Sequence, residues 1–239
     1  MSQLALPLKL QDHAVFDSFL ATGNEPLVAF LEDLCVNPTG PGAWLRGLRS
    51  TGKTHLLQAV CERAQDRAQF LPIGSFVDVG PDILDGLSSR QFVCLDDIDR
   101  ISGREDWELA LFGLFNALSE SGGLLLCSAG AAPRDCGFML PDLVSRFSRL
   151  PLFKISPLED SMRIEALQLR ARHRGLDLPG DAAQYLLHRS SRDMASLYGL
   201  LDKLDSESLI AQRRLTVPFV REVLGLRQAD STIAKASDR

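Results

Sequence analysis

The spacing of apolar residues changes character along this chain. Between about residues 24 and 155, short apolar runs alternate with stretches of helical period. Leu27, Phe30, Leu31 and Leu34 recur at i, i+3, i+4 and i+7, with Pro26 in the first turn, and predict an amphipathic helix. Residues 43–46 predict a short strand, 54–61 a helix and 69–73 a second strand. Gln91-Phe92-Val93-Cys94-Leu95 predicts a buried strand running into two acids, Asp96 and Asp97. Leu111, Leu114, Phe115 and Leu118 share one face of a helix over 107–121, which Gly122-Gly123 ends. A buried strand over 124–128, a short helix over 140–147 and a last strand over 151–155 complete the alternation. Strands alternating with helices predict an α/β domain, with a mainly parallel sheet covered by helices on both faces.

From Ser156 only helical period remains. Ser156-Pro157-Leu158-Glu159 fits a capping box opening a helix that runs to about Arg174 and stops at Gly175. Asp181 caps the next, Leu197, Leu200, Leu201 and Leu204 mark a third, and Thr216 caps a fourth ending near Gly225. A small all-helical domain therefore follows the sheet domain. Arg170, Arg172 and Arg174 read as solvated charges favoured by a helix C-terminus. Residues 228–239 are polar and read as a disordered tail.

The N-terminal Gln3-Leu4-Ala5-Leu6-Pro7-Leu8 precedes any globular pattern. Pro7 excludes a helix and favours extended backbone. Its leucines have no evident core to enter. They suit a linear peptide that docks in a partner's apolar groove, or equally a disordered tail or an added edge strand.

The bulk numbers narrow the class. In 239 residues, 45% are hydrophobic and 24% charged, as in an ordinary globular protein. The apolar runs are too short to span a membrane, and no leader sequence is expected. A net charge of −5 argues against a chain whose main task is neutralising nucleic-acid phosphates. The five cysteines are scattered and form no C-x-x-C pair, which suggests reduced thiols and a cytoplasmic protein.

The candidate chemistry lies in two stretches. Gly47-Leu48-Arg49-Ser50-Thr51-Gly52-Lys53-Thr54 fits G-x-x-x-x-G-K-[ST] at every fixed position. Its glycines let successive backbone N–H groups, including those of Ser50, Thr51 and Gly52, face phosphate oxygens. Lys53 supplies a mobile cation, the Thr54 hydroxyl suits Mg²⁺, and a helix starting at Lys53 turns its positive end on the same anion. The predicted strand before and helix after are the context this motif requires. The second stretch is the acidic strand end, a Walker B arrangement. Asp96 would join the Mg²⁺ shell and Asp97 would orient an attacking water. ADP or ATP with Mg²⁺ is the expected ligand.

A P-loop α/β domain with a small helical lid is the AAA+ plan. Gly52-Lys53-Thr54-His55-Leu56-Leu57, the opening Phe16-Asp17-Ser18-Phe19 and Leu95-Asp96-Asp97-Ile98 closely resemble the bacterial initiator DnaA. DnaA carries a further DNA-binding helix-turn-helix domain, which is not found here. Within that branch the chain resembles the Hda group, the DnaA-related regulatory inactivators. The resemblance rests on Gln3 to Leu8, on Leu140-Pro141-Asp142-Leu143-Val144-Ser145-Arg146, and on the stretch from Ala211 to Val220.

The resemblance implies four segments: an extended clamp-binding peptide over 1–11, an AAA+ nucleotide-binding domain over 12–155, a helical lid over 156–227 and a tail over 228–239. Gln3, Leu4, Leu6, Pro7 and Leu8 would dock on the sliding clamp, the β subunit of DNA polymerase III. Any DNA contact would run through the clamp, with no membrane partner. His55 joins the nucleotide-binding set. Arg146 matches the family's arginine finger and would stabilise charge on ATP bound to DnaA. The chain would then be an inhibitor of replication initiation that stimulates hydrolysis by its partner. A DNA-remodelling AAA+ ATPase or helicase loader is the alternative, and homo-oligomerisation stays open.

Three positions depart from the family pattern. The sensor I position falls at Gly130, with Ser128 nearby as a substitute. The sensor II position falls at Ala195, one turn after Arg192. Asp97 is one methylene shorter than the glutamate of many AAA+ enzymes. These departures predict tight diphosphate binding with slow or absent hydrolysis by the protein alone.

Overall fold

The computed structural model describes residues 14–191 and 193–225. The N-terminal peptide, Arg192 and the C-terminal tail lie outside them. The chain divides between Pro157 and Leu158 into two compact units.

The first unit holds a five-stranded sheet of order β2-β3-β4-β1-β5. Its strands are β1 (Gly42–Arg46), β2 (Ala68–Pro72), β3 (Phe92–Asp96), β4 (Leu124–Ala129) and β5 (Leu152–Lys154). Every pairing is parallel. The inner strands read as unbroken apolar runs because both of their faces are buried. Side chains alternate between two cores. Ala43 and Leu45 of β1, with Phe92 and Cys94 of β3, join Leu31, Leu34, Leu56, Leu57 and Val60. Those partners come from α1 (Glu25–Val36) and α2 (Lys53–Ala64). Trp44, Val93 and Leu95 face the other way, to Trp107, Leu111, Leu118, Leu143 and Phe147. These belong to α3 (Glu105–Ser121) and α4 (Pro141–Phe147). The expected parallel sheet with helices on both faces is the observed one.

The second unit is all helical: α5 (Asp160–His173), α6 (Gly180–Arg189), α7 (Met194–Ala211) and a helix over 217–225, α8. Leu167, Ala171, Leu186, Leu197, Leu201, Leu204, Phe219 and Val220 are among its buried positions. Three expectations fail here. Asp181 does not cap α6: the N-cap is Pro179, and Asp181 lies inside the first turn, its Oδ1 accepting from the Ala182 N–H at 2.8 Å. The 156–159 capping box does not open α5. Residues 156–159 carry no regular structure, and the first helical bond runs from the Arg163 N–H to the Glu159 carbonyl. The arginines at the end of α5 are not all solvated. Arg172 is exposed, but Arg170 is only 2% exposed and stacks 4.2 Å from the Tyr198 ring centroid. Arg174 is paired with Asp202 and Asp205 of α7. Packing α7 against α5 withdraws that face from water, and an aromatic ring and two carboxylates compensate the charges.

Candidate functional site

The parallel order brings the C-terminal ends of β1, β4 and β3 side by side, with β4 in the middle. Gly47 follows β1, Asp96 ends β3 and Ser128 lies near the end of β4. Residues 47–54 therefore wrap over one edge of the sheet beside Asp96.

The loop has the conformation its sequence demands. Ser50 and Gly52 both take positive φ, 60° and 100°. A side chain at Gly52 would collide with the Phe19 ring, 2.7 Å from the position of a Cβ. One at Gly47 would meet the Ile155 carbonyl oxygen at 2.6 Å. Both glycines are thus required by space, and Gly52 by its backbone conformation as well. Lys53 is 6% exposed and donates to the carbonyls of Gly47 and Leu48, both at 2.9 Å. The Thr51 hydroxyl donates to the Leu48 carbonyl at 3.0 Å. The ammonium thus spans the mouth of the loop, while α2 begins at Lys53 and turns its N-terminus into it.

Thr54 and Asp96 meet directly. The Thr54 hydroxyl donates to Asp96 Oδ2 at 2.7 Å. The other carboxylate oxygen accepts from the Ser128 hydroxyl. Ser128 in turn accepts from the Asp97 N–H at 2.9 Å. Burial raises the carboxyl of Asp96 above the ordinary aspartate range, and the bonds from Ser128 and Thr54 oppose that shift. A hydroxyl and an acid held 2.7 Å apart beside a phosphate-binding loop are oxygen ligands of the kind that would hold Mg²⁺. Among the described residues no group of three or more His, Cys, Asp or Glu could hold a metal by itself. A divalent ion here would take its remaining ligands from water or from a nucleotide.

Asp97 sits in the left-handed region at φ 52° and starts a short 3₁₀ turn. Its N–H is committed to Ser128, and its side chain is half-buried. Ser128 was a candidate stand-in for a sensor, but its hydroxyl is spent between Asp96 and Asp97. Gly130 donates its N–H to Asp99 Oδ2 at 3.0 Å, and a Cβ there would lie 3.2 Å from the same oxygen. Asp99 therefore occupies the space beside the sensor I position. Ala195 is exposed in the first turn of α7. His55 turns its Nε2 to the Val15 carbonyl at 2.9 Å and packs its ring on Phe19. It ties the segment opening with Phe16 to α2, so any part it plays in nucleotide binding runs through that segment.

Arg146 lies apart from these groups, in the last turn of α4. Its guanidinium carbon is 6.0 Å from the centroid of the Phe112 ring on α3, and no carboxylate pairs with it among the described residues. Two devices hold α4. The first is aromatic: Trp44 and Phe138 flank Phe147, at 5.2 Å and 5.5 Å. The second is Glu108 of α3, 1% exposed. Its carboxylate accepts from the Gly103 N–H at 2.7 Å, the Met139 N–H at 2.8 Å and the Leu140 N–H at 2.7 Å. Glu108 escapes a sequence reading because acids in a first helical turn are ordinary dipole partners. The five cysteines are free, four of them buried. Burial raises Cys35 and Cys136 to about 11, so both are neutral thiols near pH 7.

Comparison with known proteins adds to this geometry. Residues 160–224 match the family model described as the lid domain of Hda. The fold is similar to domain III of the Thermotoga maritima replication initiation protein DnaA, with a TM-score of 0.74 at 19% identity, covering 90% of this chain and 96% of that one. DnaA from Aquifex aeolicus bound to AMPPCP matches with a TM-score of 0.65 at 21% identity, over 79% of this chain and 63% of that one. The Thermotoga maritima RuvB Holliday junction branch migration motor matches with a TM-score of 0.58 at 14% identity, over 87% and 69%. At these identities the structural similarity establishes an AAA+ fold. No helix among the described residues is long and apolar enough to cross a membrane.

Proposed function

We propose that this Hda-like, DnaA-related AAA+ protein regulates replication initiation by stimulating hydrolysis of ATP bound to DnaA, while its N-terminal peptide holds it on the sliding clamp. The observation that carries the reading is the placement of Arg146. It is braced by α3 through the Phe112 ring, on a helix fixed by Glu108, and no acid among the described residues pairs with it. A guanidinium so presented suits an anion on another molecule.

In this reading the chain's own site holds ADP or ATP. The N–H groups from Ser50 to Lys53 and the Lys53 ammonium receive the phosphates. Thr54 and Asp96 would hold Mg²⁺, which would supply positive charge against the phosphates. Ser128 and Asp99 occupy the ground where a γ-phosphate sensor would stand, so bound nucleotide is retained rather than turned over. Arg146 then acts in trans. It places positive charge against the γ-phosphate held by DnaA, where negative charge is redistributed in the transition state.

The test is single-turnover hydrolysis of labelled ATP preloaded on DnaA, with clamp and this protein present. Arg146→Ala should slow the stimulated rate by about 10³-fold, the scale of a trans arginine, and leave nucleotide binding by this protein unchanged. Full stimulation by the variant would overturn the proposal. Hydrolysis by this protein alone, stimulated by single-stranded DNA, would favour a DNA-remodelling motor instead.

A further inference from the structure

A second cationic feature lies on α4, beside Arg146. A cavity of about 420 Å³ is lined by Arg134, Pro141, Val144, Ser145, Ser148 and Arg149. Pro141, Val144, Ser145 and Ser148 form the i, i+3, i+4, i+7 stripe of α4 and its continuing turn. Arg149 extends that stripe, its N–H bonded to the Arg146 carbonyl at 3.1 Å. Arg134 reaches in from the short 3₁₀ turn Pro133–Asp135, whose Pro133 is buried.

The lining contains no carboxylate. Neither arginine forms an ion pair among the described residues, although Asp135 and Asp142 are close in sequence. The Ser148 hydroxyl is spent on the Val144 carbonyl at 2.7 Å. Arg134, Arg149 and Ser145 are therefore the lining residues that still have side-chain donors to offer. Its walls are otherwise the apolar side chains of Pro141 and Val144. A concave site of this kind suits a compact anion on a short apolar stem.

We propose that this cavity is a socket for an acidic side chain, Asp or Glu, of the partner AAA+ domain that receives Arg146. The inference rests on the proposed function, because it takes Arg146 to face that partner. Arg146 and Arg149 are one turn apart, and α4 is only about 10 Å long. A surface that approaches closely enough to meet Arg146 also lies over the socket. Charge complementarity then selects a carboxylate from that surface. Nucleic acid fits less well: a phosphate backbone needs a continuous basic stripe, whereas two arginines around one cavity offer a single point of anchorage on a chain of net charge −5. The socket divides the labour on α4. Arg146 acts on the nucleotide, and Arg134 with Arg149 sets the register of docking.

The experiment compares Arg134→Glu/Arg149→Glu with Arg146→Ala in the full-length protein. Binding to the isolated DnaA AAA+ domain is measured at low and moderate salt, beside the single-turnover rate at saturating protein. Charge reversal at the socket should weaken binding about tenfold or more and flatten its salt dependence. The rate at saturation should stay near that of the unaltered protein. Arg146→Ala should give the opposite split, near-normal affinity with a lost rate. Because affinity and rate are read separately, failure of the arginine-finger role would leave the socket testable by binding alone. Melting temperature and affinity for the protein's own nucleotide confirm folding, and Arg134→Gln/Arg149→Gln replaces the reversal if it does not fold. Unaltered DnaA affinity in the folded double variant would overturn the proposal. So would a single-stranded oligonucleotide that binds the protein through these two arginines while DnaA binding is indifferent to them.

Discussion

The P-loop and the segment around helix α4 both carry cations in the first unit, and they satisfy those cations in opposite ways. Lys53 is buried, donates to two carbonyls of its own loop and lies beside an acid that is itself bonded to Thr54 and Ser128. Arg146 leans on an aromatic ring, and Arg134 and Arg149 line an open cavity with no acid in its wall. A site whose charges are internally balanced holds a ligand as part of the fold. A site whose charges are left unbalanced on a rigid support is suited to complete another molecule's site. The first unit contains one of each.

The largest effect that separates them is expected from Lys53→Ala. A buried ammonium opposed to phosphate contributes on the order of 10² in affinity. Equilibrium titration with a fluorescent nucleotide should show that loss. Stimulation of DnaA-bound ATP hydrolysis should fall far less wherever the variant keeps its fold. Equal loss in both assays would mean that the two regions act as one site.

Glu108→Gln probes the support under Arg146. The carboxylate accepts three backbone N–H groups in a buried setting, and an amide in its place would turn its own N–H toward one of them. The cost should be about 2 kcal/mol in denaturant unfolding, the scale of one buried donor left without an acceptor. The stimulated rate should fall with it, because residues 139 and 140 set the start of α4. Wild-type stability would show that Glu108 is not the clamp that its bonds describe.

The P-loop was legible in the sequence because its chemistry uses eight consecutive residues, and neighbouring apolar runs supplied the strand and helix that confirm it. Asp96 was legible because a buried parallel strand that ends in an acid is itself a local pattern. Ser128 was ambiguous because its role depends on which strand lies beside β3. The parallel register that pairs Leu95 with Cys127 sets Ser128 against Asp96, and that register is a long-range fact. Glu108 was invisible for the same reason: its partners at 139 and 140 are far away in sequence. The error at Arg170 and Arg174 has a related cause. Arginines at a helix C-terminus are ordinary dipole partners in water, and only the packing of α7 shows that Tyr198, Asp202 and Asp205 cover Arg170 and Arg174.

Asp96→Asn sharpens the claim that the first site is built around its ligand. Burial raises the carboxyl above its usual range, so the folded state holds the proton more tightly than the unfolded chain does. The stability tied to Asp96 is therefore fully present below the ordinary aspartate value and is lost as pH rises through the raised one. At neutral pH the buried anion burdens the ligand-free fold. An amide removes that charge and can keep its neighbours, with its oxygen facing Ser128 and its N–H₂ facing a rotated Thr54 hydroxyl. Without nucleotide or Mg²⁺, the variant should melt a few degrees above the unaltered protein at pH 7, and the gap should close as pH falls through the carboxylate range. Added Mg²⁺ and nucleotide should reverse the order, because only the carboxylate gains from the cation. A variant that melts lower in the ligand-free state at pH 7 would show that the bonds from Ser128 and Thr54 outweigh desolvation.

The smallest effect is expected at Asp193, where the second unit resembles neither site. Its Oδ1 accepts from the Ser196 N–H at 2.9 Å and its Oδ2 from the Ser191 hydroxyl at 2.6 Å, which caps α7. These bonds favour the anion and bring its pKa to about 2. Here the folded value lies below the unfolded one, so the sign is opposite to that of Asp96. The stabilisation is present above the ordinary aspartate range and is lost as pH falls toward 2. Asp193→Ala should cost about 1 kcal/mol, the usual scale of a lost N-cap, and the difference from the unaltered protein should shrink in acid. Both buried Asp96 and capping Asp193 are aspartates, yet one loses stability on ionising and the other gains it. Measuring the two variants across the same pH range tests whether ligand-dependent strain is confined to the P-loop site. A loss of nucleotide affinity in Asp193→Ala as large as that in Lys53→Ala would show that it is not.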